Sequence, residues 1–322
     1  MTITRRTFLM GACATLAAPS FAQSFGSRPL SIVVPFSAGG PTDFIARVFA
    51  QYFSQEIGGP VIVENKPGAS GNIGMQNVVD AAPDGMTIVH STAAMQAVNP
   101  LMYPGAKFLP SRDLVPVGMT AALPNVLVVH PNSGIKTIAD LVRKGKQPGA
   151  ELTFATFGPG SSPHVYGSVL RKATGIQAVP VPYKGSGNAI NDMLAGNIDF
   201  IFDSMTTSVS HVRSGKLIGL AITSPQRSSL LPDVPTLKET GYGDVDLKFW
   251  FTLQVPVKTP ADIVDKLRKA TARAVQQKGY IEGLLARGAE PFYVEPSEVA
   301  AFVKKDTEHW LSAARAIGIK PD

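Results

Sequence analysis

The stretch Ile32-Val33-Val34-Pro35-Phe36-Ser37-Ala38-Gly39-Gly40-Pro41-Thr42-Asp43 constrains the chain more than any other. An apolar β-type run passes through a loop of small residues into a segment whose apolar side chains recur at helical spacing: Phe44, Ile45, Val48, Phe49, Tyr52 and Phe53. Ser37 to Gly40 lack bulky side chains, so their backbone N–H groups can approach a ligand at the positive end of that helix. Pro41 suits the first helical position, and Asp43 can accept from the unpaired donors of the first turn. Taken alone, the loop fits both an anion cradle and a tight βα turn with nothing bound.

The text that follows repeats the same grammar. Strands are predicted at 30–35, 61–64 and 87–90 and helices at 42–57, 70–81 and 93–98, a βαβαβ alternation that predicts a parallel sheet covered on both faces. The third strand leads into Ser91, Thr92 and Ala93 at the carboxyl edge of the sheet, where open α/β sheets bind ligands. Gly68, Gly71 and Gly74 are spaced GxxGxxG, which is no dinucleotide fingerprint; close packing of helix on strand accounts for Gly71 and Gly74. A second cradle follows a predicted strand at 152–156: Thr156, Phe157, Gly158, Pro159, Gly160, Ser161, Ser162, then Pro163 and His164 opening a helix that runs to Gly175. Further strands are expected at 126–130, 178–182, 198–202, 217–223 and 250–255. Helices are expected at 138–144, 188–194 and 206–214, with amphipathic cover helices at 260–277, 281–286 and 297–317. If the first unit resumes after residue 224, the chain crosses between domains twice. Residues 23–123 plus 224–322 then form one domain and 124–223 the other, with a hinge and a cleft between them.

A length of 322 residues and 44% hydrophobic content suffice for two cores. The formal charge of +6 falls to +4 without Arg5 and Arg6, and no basic run is interleaved with aromatics, so nucleic acid is not an expected partner. Those two arginines lie in Thr4-Arg5-Arg6-Thr7-Phe8-Leu9, which has the form of a twin-arginine export signal. A short apolar run and a small-residue cleavage site at Ser20-Phe21-Ala22 follow it. Residues 1–22 are therefore expected to be a signal peptide and the mature chain to be periplasmic; a Sec signal that happens to contain Arg-Arg is the alternative. Removal of the signal takes the single cysteine, Cys13, with it, which excludes disulfides and a thiol nucleophile.

The residues offer little catalytic chemistry. Five histidines are present, none in HExxH, and neither GxSxG nor metal-ligand spacing occurs. His164 beside Ser161 and Ser162 is the one hydroxyl–imidazole neighbourhood, and residues so close at a helix start fit capping better than a triad. Asp43, Asp199 and Asp203 stand near element ends, where carboxylates usually cap. Binding without catalysis, and without a cofactor, is the expectation.

Several ordered motifs resemble the Bug proteins, periplasmic solute-binding components of tripartite tricarboxylate transporters. They are the opening stretch, Val63-Glu64-Asn65-Lys66-Pro67-Gly68-Ala69-Ser70-Gly71-Asn72-Ile73-Gly74, Val181-Pro182-Tyr183-Lys184-Gly185, the run from Asp192 to Asp199, and Leu231-Pro232-Asp233-Val234-Pro235-Thr236. The resemblance implies an α/β, type II-like, two-domain periplasmic binding protein, each domain a mostly parallel sheet flanked by helices, with the ligand cleft between them. It implies a monomer that closes on a small mono- or dicarboxylate, an amino acid or an aromatic acid and hands it to membrane permease subunits; the alternative is a loaded receptor signalling to a sensor domain. The ligand residues it implies are Phe36, Ser37, Ala38, Gly39, Gly40, Thr42 and Asp43 in the first loop, and Ser91, Thr92 and Ala93 at the strand end. Thr156, Phe157, Gly158, Gly160, Ser161, Ser162 and His164 are implied in the second loop, together with Tyr183 and Asp203. The chain departs from the pattern at Pro159, at Phe157, and at Phe251-Thr252 after Trp250, where a glycine often stands. Phe36 and Phe157 are expected either to wall an apolar part of the ligand or to belong to the core.

Overall fold

The computed structural model describes residues 28–242, 247–316 and 318–319. The expected signal peptide and its arginine pair lie outside the described residues. No helix among the described residues is long and apolar enough to cross a membrane.

The first part of the chain runs β1 (Leu30–Val34), α1 (Pro41–Ile57), β2 (Val61–Asn65), α2 (Asn72–Val79), β3 (Thr87–Thr92), α3 (Ala93–Ala97), α4 (Asn99–Met102), α5 (Pro110–Asp113) and β4 (Leu114–Ala122). The middle part runs β5 (Asn125–Val129), α6 (Ile138–Gly145), β6 (Leu152–Thr156), α7 (Ser162–Thr174), β7 (Ala178–Pro182), α8 (Ser186–Leu194), β8 (Ile201–Ser204), α9 (Met205–Arg213) and β9 (Ile218–Ile222). The chain then returns as β10 (Trp250–Pro256), α10 (Ala261–Val275), α11 (Lys278–Leu285), β11 (Glu290–Pro291) and α12 (Val299–Ala316).

The first lobe is built on a sheet of order β11-β4-β10-β3-β1-β2. The second lobe holds β8-β5-β9 and the pair β6-β7, joined through a bridge between Phe154 and Phe200. The two-domain α/β plan matches the expectation, but the strand directions correct it. β1 runs parallel to β2 and β3, whereas β10 is antiparallel to both β3 and β4, and β5 is antiparallel to β8 and β9. The cause is the route of the chain: β10 enters the first sheet on its way back from the second lobe, so it runs against β3. β4 was not anticipated, because Pro116 and Gly118 interrupt its alternation. Its pairing with β10 shifts register twice, and these irregularities absorb a proline that cannot donate to the ladder.

α1 buries the stripe read from its sequence. Ile45, Phe49 and Phe53 are fully buried, Phe44, Val48 and Tyr52 pack against that core, and the Phe49 and Phe53 rings stack with centroids 4.8 Å apart. α12 is more than the solvent-facing cover expected for it. Trp310 is fully buried, lies edge-on to Tyr166 of α7 at 6.0 Å, and donates to the Lys248 carbonyl, so the last helix packs against both lobes.

The predicted helix at 70–81 begins later than expected, because Ala69 and Ser70 take positive φ values of 47° and 53° before α2 starts. Gly74 packs α2 directly on the end of β1: a Cβ there would stand 2.9 Å from Pro35 Cα and 3.0 Å from the Lys66 carbonyl oxygen, both backbone atoms. Gly74→Ala is therefore expected to destabilise the protein by about 1–3 kcal/mol through overpacking. The check is the urea midpoint at unchanged m-value; a wild-type midpoint would show that helix and strand can part freely.

Candidate functional site

Three helices start at one place. α1 arrives from the first lobe with Gly40 as N-cap, and α7 and α8 arrive from the second with Ser161 and Gly185 as N-caps. None of these N-caps offers a side-chain hydrogen bond to its helix. The first N–H groups of each helix have no intrahelical partner and carry the positive end of the dipole. Between the helix starts lies a cavity of about 20 Å³, the room of roughly one water molecule. Gly40, Pro41 and Thr42 of α1 face Ser161, Ser162 and Ser186 across it; Phe36, Phe157, Phe249 and Met95 supply an apolar wall, and Thr92 closes the floor. None of these residues is cationic.

The jaws meet around this cavity. On one flank the Ser37 N–H donates to the Lys184 carbonyl at 3.3 Å. On the other, the Ser70 hydroxyl donates to the Pro159 carbonyl at 2.8 Å and so accepts from Tyr103 Oη at 2.9 Å. The Phe36 and Phe157 rings close the mouth edge to face, centroids 6.2 Å apart. The positive φ at Ala69 and Ser70 is what turns this hydroxyl across the cleft, and Asn99 holds the turn by donating to the Ser70 carbonyl at 2.9 Å.

A model of the tripartite tricarboxylate transporter family receptor matches residues 45–319. The chain belongs to that receptor family. It is 35% identical to protein BugT of Bordetella pertussis over 99% of both chains. The structure of the periplasmic binding protein BugD superposes with a TM-score of 0.87 at 32% identity, covering 92% of this chain and 99% of that one. A protein of R. palustris solved with adipate superposes with a TM-score of 0.87 at 31% identity over 92% of this chain and 99% of its own. MatC from Rhodopseudomonas palustris, solved with bound malate, gives 0.82 at 28% over 89% and 99%.

In this receptor several of the expected site residues stand behind the cavity and shape it. Asp43 staples the first loop: its carboxylate accepts from the Gly39 N–H, from Arg47 Nε and from Asn65 Nδ2, each at 3.0 Å. Burial would raise its pKa, but the bonds from Arg47, Gly39 and Asn65 outweigh that and hold it below the usual carboxylate range. Ala38 and Gly39 are exposed at the tip of the loop. Ser91 is buried in a network with Gln254 and Gln96, Ala93 is buried at the start of α3, and Thr92 Oγ1 caps that helix by accepting from the Met95 N–H. Thr156 Oγ1 accepts from the Gly158 N–H, and Tyr183 donates to Asp192 of α8 at 2.7 Å.

The second loop holds itself in the same way. Ser161 Oγ accepts from the Phe157 N–H at 3.0 Å and donates to the Gly158 carbonyl at 2.7 Å, while His164 Nδ1 accepts from the Gly160 N–H at 3.1 Å. The serine proton and the imidazole lone pair thus serve the loop backbone, as capping groups do. Asp203 is fully buried one layer back. Burial pushes its carboxyl up, against hydroxyl bonds from Ser186, Thr207 and Ser208 that pull it down.

Sequence reasoning missed Pro41, Met95, Ser186 and Phe249 as lining residues. Ser186 carried a usable signal: Gly185-Ser186-Gly187 repeats the small-residue start seen at Gly40 and Ser161, and α8 begins two residues before the expected position. Met95 and Phe249 carried no local signal. Phe251 belongs to the core, fully buried and stacked on His90 at 5.5 Å.

Proposed function

We propose that this receptor captures a small carboxylate outside the cytoplasm and delivers it to the permease subunits of a tripartite tricarboxylate transporter. Residues 23–123 with 224–322, and 124–223, act as the two jaws. The observation that carries the reading is the convergence of three helix N-termini, uncapped by side chains, on one cavity between the lobes. Three or four charge-assisted bonds from backbone N–H and hydroxyl groups, roughly 1.5–3 kcal/mol each, sum to about 5–12 kcal/mol. After the cost of ordering the cleft, micromolar affinity, about −8 kcal/mol, is within reach without an arginine. The adipate and malate bound by the related proteins are the same kind of ligand.

Calorimetric titration of the mature protein against a panel of mono- and dicarboxylates is expected to give at least one micromolar binder, recovered chemically unchanged after long incubation. Binding of none of them would overturn the reading, and turnover of the ligand would replace it with a hydrolytic one.

A further inference from the structure

We infer that Ser186 selects a 2-hydroxy acid, because Asp203 takes the Ser186 proton and leaves only oxygen lone pairs toward the cavity. This rests on the carboxylate reading above and narrows it to a chemical class.

A serine hydroxyl has one proton and two lone pairs. Ser186 Oγ donates to Asp203 Oδ1 at 2.6 Å, and its other hydroxyl neighbour in the fold is Thr207 Oγ1 at 3.1 Å. Thr207 and Ser208 themselves donate to Asp203 Oδ2, the latter at 2.7 Å, so no proton comes back to Ser186 from them. Burial pushes the Asp203 carboxyl up; these hydroxyls, the Ser204 N–H and the start of α9 directly after it pull the other way, toward the ionised form, and their geometry, with three donors aimed at two oxygens, is that of an acceptor. A bond to a buried carboxylate is charge-assisted and short, and it strengthens the lone pairs of the donating oxygen as acceptors. Ser186 lines the cavity, so what it presents there is an oriented acceptor.

The same residue opens α8, where its backbone N–H is one of the donors left over at a helix start. The N and Oγ atoms of one serine are separated by about 3 Å, from standard bond lengths and angles. A ligand that satisfies both offers an acceptor and a donor at that spacing: a carboxylate oxygen and the hydroxyl on the neighbouring carbon. An ammonium group in the hydroxyl position would bring three donors and a charge against this one oriented acceptor, beside the rings of Phe36, Phe157 and Phe249. An unsubstituted acid would leave the acceptor unpaired when the cleft closes.

The test is calorimetric titration of the mature protein at pH 8 with three matched pairs, lactate and propionate, malate and succinate, mandelate and phenylacetate, with alanine as the amino counterpart of lactate. In every pair that binds, the hydroxy acid is expected to be roughly tenfold tighter or more, and lactate tighter than alanine. Ser186→Ala is expected to bring the ratio within each pair toward one. Asp203→Asn, whose amide can donate to Ser186 and turn its proton toward the cavity, is expected to gain affinity for pyruvate, whose keto oxygen only accepts, relative to lactate. If Asp203→Asn fails to fold by circular dichroism, Ser186→Ala decides. Equal affinities within the pairs, alanine preferred over lactate, or a ratio unmoved by Ser186→Ala would overturn this inference and leave the carboxylate reading standing. No binding by any acid, here or in the wider panel, would remove both.

Discussion

Gly158→Ala is expected to weaken ligand binding by about 30-fold, roughly 2 kcal/mol, without touching the ligand. Gly158 has φ +97°, and a Cβ there would stand 2.4 Å from Ser70 Oγ, on the opposite jaw. That hydroxyl is held between the Pro159 carbonyl and Tyr103 Oη on a turn already in the left-handed region, so it cannot withdraw without losing its bonds. The lost interjaw bond is worth about 0.5–1.5 kcal/mol, and the residual crowding adds about as much again. Both act on the closed state and spare the open one, so the substitution shifts the closing equilibrium and appears as lost affinity. The measurement is titration of the tightest carboxylate, with small-angle scattering to follow closure. Ser70→Ala in the Gly158→Ala background removes the obstructing oxygen and is expected to recover part of the loss. Wild-type affinity in the single variant would show that this flank of the cleft does not close on the ligand.

The second large effect is on stability, and it comes from His90. Its ring is fully buried, with Nδ1 3.2 Å from the Thr42 carbonyl and Nε2 2.8 Å from Thr120 Oγ1. A carbonyl only accepts, so Nδ1 carries the proton, and Nε2 accepts from the threonine hydroxyl. Burial pushes the pKa down to about 4 from 6.5, against the Thr42 bond that would raise it. Between those two values the unfolded chain binds the proton that the folded protein refuses, so stability is fully present above pH 6.5. It declines as pH falls toward 4, by about 3 kcal/mol in all from this group. Urea unfolding of wild type and His90→Asn at pH 7 and pH 4.5 is the check. The variant, which can still donate to the Thr42 carbonyl, is expected to lose most of the pH dependence while being less stable at pH 7. Equal pH dependence in both would assign the effect to other groups. Because Thr42 lies in the first turn of α1 and lines the cavity, His90 also ties the start of α1 to β3.

The features legible in the chain alone are local. The apolar stripe of α1, the small-residue loops ahead of Pro41 and Pro163, and the strand-helix alternation on either side of two crossings are each written within some ten to fifteen residues. Backbone preference and periodicity act over that span. These features were enough to place two of the three helix starts and the two-lobed plan.

Packing between distant segments settled the rest, because the contacts that matter join residues far apart. β4 becomes a strand despite Pro116 and Gly118 because β10, arriving more than a hundred residues later, supplies its ladder. Asp43 and Asp203 look alike as carboxylates near element ends, yet one staples a loop through Asn65 and the other polarises Ser186. Ser91 carries a hydroxyl at the expected sheet edge, but Gln254, 163 residues on, draws it into the interior. Met95 and Phe249, far apart in the chain, come together at the cavity only in the folded protein. Periodicity tells which face of an element is buried; which partner buries it is settled by packing between elements, and that choice is what turned three helix starts toward one point.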